Sequence, residues 1–309
     1  MNSITRKLVL SVLTVVLTVI ALGTTTFAWF TLTNTSIIQP FEAQVVSDTG
    51  IEVAVGAVNA DPLTLSWQTT ITTQDIYDYV ELAYPAGFEF THVTTVDGVN
   101  FVDMNGVGVG EGYLEIPLHF RSDNEQQIQW EQVSLTSTAA NYRTGVTFTD
   151  SQGVERLANS LFPTNLQDAM KISVTGITDR ALATSTTIGY ENAAGGTNTY
   201  SGGLVNADLR GTTEVVDLVT KYIGVNGAQN FYYRTTDTLP TMSNSVTTFG
   251  TQTSLDNELV LEMASGQEAT ADAVYYGYVM VRVWFEGWDA EAYNGLLGRI
   301  ITISLQFGV

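Results

Sequence analysis

The sequence predicts an all-β fold, a jelly-roll-like sandwich of two antiparallel sheets, preceded by a hydrophobic N-terminal helix. Long runs of alternating apolar and polar residues, typical of half-buried strands, occur in the middle and at the end of the chain. The chain is rich in Thr, Val, Tyr and Phe, which favour pleated, partly buried surfaces. Strands and helices do not alternate as a parallel α/β sheet requires.

The first 28 residues have the pattern of a secretory signal. Arg6 and Lys7 precede an apolar run, and the small residues Thr26 and Ala28 predict cleavage after Ala28. The apolar stretch 8–30 is also long enough to span a bilayer, so a retained membrane anchor is the alternative. In both cases we expect a secreted or cell-surface protein that meets the membrane only through this helix.

The chain is strongly acidic and contains no cysteine. It has 32 acidic and 12 basic residues, which give a formal net charge of −20. This charge repels nucleic acids and anionic lipid headgroups, so we exclude them as partners. An exported domain without disulfides must be held together by its core. The lack of thiols also excludes thiol catalysis, zinc–thiolate sites and iron–sulfur ligation.

After the leader, residues 29–40 are predicted to be an extended segment, and residues 41–309 the β-sandwich domain. Two alternating runs, Phe41–Val46 and Ile51–Val55, flank a turn and predict a β-hairpin. Residues 73–84 fit either a short capped helix or a strand.

The clearest strand of the N-terminal half is Tyr113–Phe120, whose partner is predicted at 128–135. Pro117 removes one ladder hydrogen bond, which predicts an edge strand or a bulge. A short helical stretch around 155–161 is expected to precede a strand at 169–175.

Residues 176–253 are rich in Thr, Asn, Gly and Ser, and we interpret them as an insertion that decorates the sandwich. Within them, Thr212–Ile223 has helical spacing and a threonine cap, which predicts a helix. The chain then returns to strong strands. Those at 274–285 and 299–307 are predicted to be antiparallel neighbours.

Candidate catalytic groups are sparse. His92 and His119 belong to no HExxH motif, no GxSxG motif occurs, and His119 falls on the polar face of its strand. Four carboxylates are candidates for the acid–base pair of a glycosidase, but solvated strand faces explain them more simply. They are Glu115, Glu131, Glu262 and Glu286. We therefore expect a non-enzymatic protein.

One Gly-rich loop carries oxygen ligands of the kind that calcium prefers. The candidates are Asp97, Asn100, Asp103 and Asn105. Their spacing does not match an EF-hand, and turn chemistry alone accounts for Asp, Asn and Gly in such a loop. Calcium is the one cofactor that the sequence suggests.

Aromatic residues cluster near the C-terminus. They are Tyr275, Tyr276, Tyr278, Trp284 and Trp288. Core and cross-strand packing is the simpler explanation. A sugar-stacking platform is the alternative, and it would make the chain a carbohydrate-binding adhesin.

Three segments together resemble a known group of exported proteins. They are the leader end TTTFAWFT, the strand YLEIPLHFRS with the following QIQWEQVSL, and the C-terminal VMVRVWFEGWDAEAYNGLLGRIITISLQF. This combination resembles Gram-positive-type surface proteins that carry the dedicated-signal-peptidase leader of the TasA/camelysin group.

The resemblance implies a jelly-roll subunit of extracellular or biofilm-matrix fibres, in which the N-terminal segment of one subunit completes the sheet of the next. The corresponding assembly residues are Trp29, Phe30, Leu32, Ile37 and Ile38. The metallopeptidase activity assigned to camelysin-type members is not carried over, because no HExxH occurs. The alternatives are a glycan-binding adhesin and a surface protein whose N-terminal helix is retained as an anchor.

Overall fold

The structure, a computed structural model, describes ten stretches of the chain. They are 38–45, 50–104, 106–177, 184–193, 213–216, 219–222, 226–236, 248–270, 273–293 and 301–309. The predicted leader with its cleavage residues Thr26 and Ala28 lies outside these stretches, and so does the segment 29–37.

The described residues are mostly β-strand. The strands are β1 (Ile38–Val45), β2 (Ile51–Val55), β3 (Thr70–Ile71), β4 (His92–Thr95), β5 (Phe101–Asp103), β6 (Gly108–Val109), β7 (Tyr113–Ser122), β8 (Gln127–Ser137), β9 (Ala140–Arg143), β10 (Phe148–Thr149), β11 (Glu155–Arg156), β12 (Leu161–Thr164), β13 (Met170–Ile177), β14 (Thr184–Glu191), β15 (Thr213–Val216), β16 (Val219–Tyr222), β17 (Glu258–Glu262), β18 (Ala264–Thr270), β19 (Ala273–Glu286) and β20 (Ile301–Gly308). The described helices are α1 (Thr73–Ala83) and α2 (Ala228–Thr236), with 3₁₀ turns at Pro62–Thr64 and Leu166–Ala169.

Two main sheets form a sandwich-like β-fold. The first has five strands in the order β17-β8-β20-β1-β3, and the β1–β20 pair is parallel. The second has nine strands around the long strand β19, which pairs antiparallel with β13 and β7. Strand β14 continues this sheet beyond β13, and β2 continues it beyond β7. The all-β prediction is confirmed at this level.

The main hydrophobic core of the described residues lies between the two sheets. Strand β20 buries every second residue, as its alternating sequence predicts. The facing rows come mainly from β7, β13 and β19, and the rings of Phe120 and Phe307 meet across the interface at a centroid distance of 5.3 Å. Each such side chain contributes roughly 1.5–3 kcal/mol by leaving water. This core holds together a chain that has no disulfide.

The predicted hairpin between Phe41–Val46 and Ile51–Val55 is wrong. Both segments are strands, but β1 pairs with β20 and β3, whereas β2 pairs with β7. The chain therefore changes sheet between the two strands. The predicted pairings of 113–120 with 128–135 and of 274–285 with 299–307 are wrong as well, because β7 and β19 lie in the nine-stranded sheet, whereas β8 and β20 lie in the five-stranded one. Alternation shows that each strand has one buried face, but it does not identify the strand that pairs with it.

Pro117 lies where no described strand would accept a hydrogen bond from the backbone N–H that proline lacks. The backbone N–H and C=O of Val53 both bond to Gln68, so Val53 and its register partner Phe120 on β7 form a pair without hydrogen bonds between them. The backbone groups that β7 directs toward β2 are therefore those of its odd-numbered residues. Strand β2 ends opposite Leu118, one residue before Pro117 is reached. Two residues further, the Glu115 N–H donates to the Tyr84 hydroxyl at 3.1 Å instead of to a strand. Strand β7 is therefore central in one half and an edge in the other.

Of the three stretches of the β-domain with a predicted helix, only the first is helical. Residues 73–83 form α1, which begins with a capping box between Thr72 and Asp75. The stretch 155–161 contains β11 and the start of β12 instead of a helix. The predicted helix 212–223 contains the antiparallel pair β15–β16. Its valines and threonines are β-branched and fit a strand better than a helix.

Candidate functional site

The predicted assembly segment enters the described structure at Ile38, the first residue of β1. This strand lies between β20 and β3 in the five-stranded sheet, and Ile38 is in register with Ile301. Strand β3 pairs with β1 at two positions only, Ala43↔Ile71 and Gln44↔Thr70. The outer side of β1 over residues 38–42 pairs with no strand among the described residues.

A pocket with acidic walls is the second candidate, and the sequence did not indicate it. Antiparallel pairing of β13 and β19 places Met170 opposite Phe285. Residues just before β13 and just after β19 therefore leave the sheet at the same end. The 3₁₀ turn with Asp168 and the segment with Glu291 meet there, beside the hairpin that carries Asp150. Together they enclose a cavity of about 140 Å³.

Asp168 and Glu291 are hydrogen-bonded to each other in this pocket. Two carboxyl groups can share a hydrogen bond only if one of them carries a proton. Each also accepts a bond from a neutral neighbour: the Ser151 hydroxyl donates to Glu291 Oε1 at 2.9 Å, and Asn165 Nδ2 donates to Asp168 Oδ2 at 3.1 Å.

The environment of the pair favours that proton. Burial raises the pKa of Glu291 to about 7, and the negative charges of Asp168 and Asp150 act in the same direction. Burial likewise raises the pKa of Asp168. The negative charge of Asp150 is balanced by Arg156 instead. The Nε and one terminal nitrogen of this guanidinium both lie 2.7 Å from Asp150 Oδ2.

This geometry binds a proton and does not fit a glycosidase pair. Glycosidases hold their two carboxyl groups about 5–10 Å apart, so that sugar or water fits between them. Asp168 and Glu291 contact each other directly, which leaves no such gap. The shared proton instead links the turn before β13 to the segment after β19.

The predicted calcium loop is a pair of tight turns. Asp97 Oδ1 accepts bonds from the backbone N–H groups of Val99 and Asn100, at 2.8 and 2.7 Å. Burial would raise the pKa of Asp97, but the bonds from Asn100 and Val99 outweigh it and lower that pKa. Asp103 Oδ1 accepts from Val107 N–H at 2.8 Å.

The calcium prediction is neither confirmed nor excluded by these turns. Asn105 lies outside the described residues. Within the described ranges, no group of three or more acidic or histidine side chains is arranged to hold a metal.

The four candidate carboxylates occupy separate environments. Glu115 bonds to Arg282 Nε at 2.7 Å, Glu131 accepts from Gln306 Nε2 at 3.0 Å, and Glu262 is exposed. Glu286 is fully buried, so a solvated face is the wrong interpretation for this residue. Its carboxylate accepts from Trp284 Nε1 and the Trp288 backbone N–H at 3.0 and 3.1 Å.

Of the C-terminal aromatic cluster, Tyr275 is half-buried and the other four residues are buried. Trp284 and Trp288 are completely buried, so they cannot stack on a sugar, and the packing interpretation holds for them. His119 falls on the strand face that the sequence predicts to be polar, and the structure shows it locally bonded instead of solvated. His119 is buried, and its Nδ1 lies 2.7 Å from the Tyr276 hydroxyl. His92 is buried as well, which lowers its pKa to about 4.

No protein-family model, curated protein sequence or solved structure matches this chain. Within the described stretches, no helix combines the length and apolar character needed to cross a bilayer.

Proposed function

We propose that this chain is a non-enzymatic structural subunit of an extracellular fibre or cell-surface matrix, built on a jelly-roll-type sandwich and assembled by N-terminal strand donation. The observation that carries the proposal is the position of β1. Strand β1 is the first described strand of the chain, and it lies parallel to and beside β20, the last one, in the five-stranded sheet.

Strand β1 is held by partners that are remote in sequence. Its register partner for Ile38 is Ile301, which follows 263 residues later (301 − 38). The outer side of β1 over residues 38–42 pairs with no strand among the described residues, so it is an edge that the segment 29–37 of a neighbouring copy can join. Backbone hydrogen bonds then provide affinity, and the alternating side chains provide specificity.

The composition of the preceding segment suits this role. Residues 29–39 carry no charge and alternate apolar with hydroxylated side chains around Leu32. The chain as a whole has a net charge of −20, which opposes association of most surfaces with their own copies. An uncharged strand adds to a neighbour's sheet without that cost.

Deletion of residues 29–37 tests the proposal. This deletion keeps Ile38 and its pairing with Ile301, so we expect a folded, soluble monomer. Electron microscopy of the exported chain should show filaments, and the deleted chain should show none. Leu32→Lys combined with Ile37→Lys should have the same effect, whereas Thr33→Ser combined with Ser36→Thr should assemble normally. Filaments formed by the deleted chain would contradict strand donation.

N-terminal sequencing of the same material separates the two leader hypotheses. A mature chain that begins at Trp29 has a free donor strand. A chain that keeps residues 1–28 and stays in the membrane fraction is an anchored surface protein, in which residues 29–37 link the anchor to the β-domain. Because Trp284 and Trp288 are buried, no described feature favours the adhesin over the structural subunit.

A further inference from the structure

Three ionisable side chains lie close together on one face of the nine-stranded sheet. Lys171 of β13 and Glu191 of β14 are register partners, and Lys171 Nζ lies 3.0 Å from Glu191 Oε2. On the other side of β13, Lys171 is opposite Trp284 of β19, and Glu286 follows two residues later on the same face of that strand. Such diagonal neighbours are about 7–8 Å apart, within reach of long side chains. We call Lys171, Glu191 and Glu286 the buried triad.

The buried triad is shielded from solvent although it faces away from the main core. Ile172 and Val174 of β13 belong to that core, so the residues that alternate with them lie on the opposite face of the sheet. The segment with Gly98 covers this face, and its carbonyl accepts a hydrogen bond from the Ser173 hydroxyl at 2.7 Å. The exposed fractions of the three triad residues, in chain order, are 2%, 7% and 0%.

The buried triad contains one amine and two carboxyl groups. The ammonium of Lys171 balances the charge of one carboxylate, and a second ionised carboxylate out of water is strongly disfavoured. Burial raises the pKa of Glu286, and the positive charge of Lys171 opposes this only in part. Trp284 Nε1 donates to Glu286 Oε2 at 3.0 Å and holds this carboxyl group in place. The triad therefore combines an amine, a carboxyl group in contact with it, and a second carboxyl group that retains a proton.

Amide formation needs these three groups. A surrounding without water favours the neutral forms of an ion pair, so the proton of the Lys171 ammonium passes to Glu191 and leaves a nucleophilic amine. Reacting atoms in a near-attack geometry are about 3–3.5 Å apart, and the carbon to be attacked is one bond beyond the Oε2 that Nζ already contacts. Two paired strands hold this geometry, which gives the reaction the advantage of an intramolecular one.

We propose that Lys171 and Glu191 become joined by an isopeptide bond between Lys171 Nζ and Glu191 Cδ, and that Glu286 transfers the protons. The lone pair of Nζ attacks Cδ and forms the new N–C bond. Glu286 gives its proton to the hydroxyl group, which leaves Cδ as water, and takes up one proton from the nitrogen. One ammonium and one carboxylate are thereby converted into one amide and one water, and Glu286 returns to its starting form. The reaction uses no oxidant, reductant or other reactant.

The isopeptide bond gives a chain without cysteine a covalent link between neighbouring strands. It also replaces two buried charges, which are costly to keep out of water, by a neutral amide. The inference goes beyond the proposed function and does not depend on it, because both side chains belong to the same subunit.

Mass spectrometry of the purified folded chain tests the bond directly. The intact chain should be lighter, by the mass of one water molecule, than the sequence that its N-terminus defines. Trypsin should not cleave after Lys171, because its amine is blocked. The digest should instead contain residues 157–180 and 181–210 as one branched peptide that has lost one water. This measurement on the wild type needs no variant.

Variants assign the parts of the reaction, with circular dichroism to establish that each is folded. Lys171→Met should keep its full mass. Glu286→Gln preserves the shape of the side chain but has no acidic proton, so after refolding it should lose water about a hundredfold more slowly than wild type. Glu262→Gln changes an exposed carboxylate and should lose water as wild type does.

The outcomes are distinct. A wild-type chain of full mass that trypsin cleaves after Lys171 overturns the proposal. A loss of water that persists in Lys171→Met places the dehydration elsewhere in the chain and overturns it as well. Equal rates for Glu286→Gln and wild type overturn the part assigned to Glu286.

Discussion

Replacement of Glu291 by glutamine removes the proton-binding group of the acidic pocket and keeps its shape. In the native chain the pKa of Glu291 is raised from 4.5 to about 7, mainly by burial. A group whose pKa is raised on folding stabilises the fold fully at pH values below its unfolded pKa, and this contribution is lost as the pH rises through its folded pKa. Between pH 5 and pH 8 the wild type should therefore lose stability through this residue.

The magnitude follows from the size of the shift. One pKa unit corresponds to about 1.4 kcal/mol, and the change from 4.5 to about 7 sets an upper value of roughly 3 kcal/mol. The pocket opens to solvent and Asp168 titrates with Glu291, so we expect about 2 kcal/mol. Glutamine stays neutral, which removes this term from the pH dependence of the variant.

Denaturant unfolding at pH 5, 6, 7 and 8 measures the effect. Titrating groups outside the pocket contribute alike to both proteins and cancel in the difference between them. The free energy of unfolding of Glu291→Gln relative to wild type should rise by about 2 kcal/mol across this range. Glu155→Gln, which changes an exposed carboxylate in the neighbouring hairpin, should show no such rise. Parallel curves for wild type and Glu291→Gln would refute the shared proton.

Three further changes have definite expectations. Lys171→Met removes the ammonium group that lies 3.0 Å from the buried carboxylate of Glu191 and should lower the free energy of unfolding by about 3–5 kcal/mol; adding Glu191→Gln should recover part of this loss. Trp288→Ala empties a fully buried site, so the melting temperature should fall with a cost of about 3–5 kcal/mol, and a glycan array should give the same result for variant and wild type at a temperature where both are folded. Asp97→Ala removes the acceptor of two turn bonds and should destabilise by about 1–2 kcal/mol, equally with calcium and with chelator, if the loop is a turn and not a calcium site.

Local patterns predict strands well, because each strand has a face that must be apolar. Strands β7, β19 and β20 were all predicted close to their observed positions for this reason. Pairing is a property of the whole chain, so β1 and β2 looked like a hairpin and belong to different sheets. The short runs of valine and threonine at 213–222 fit both the helical and the strand period. Their spacing predicts a helix, whereas the chain forms two paired strands there.

The sequence does not predict the acidic pocket, because its two carboxyl groups come together only through strand pairing. Asp168 and Glu291 are 123 positions apart (291 − 168), and each alone looks like an ordinary polar residue of a connection. They meet because β13 and β19 are antiparallel and in a register that aligns their ends. A predicted pairing of those two strands, with Met170 opposite Phe285, would have been the signal that brings the carboxyls together.

The difference between a local pattern and the packing of the whole chain also decides which sheet face is open to solvent. Alternation predicts one solvated face for each sheet. In the nine-stranded sheet, however, all eight residues of β13 are buried, and the polar ones find partners inside: Lys171 with Glu191, and Ser173 with the Gly98 carbonyl at 2.7 Å. Strand β8 of the five-stranded sheet alternates between buried and open positions instead. Among the described strands, β8 therefore has an open side where β13 has none, and β8 belongs to the sheet that contains the N-terminal strand β1.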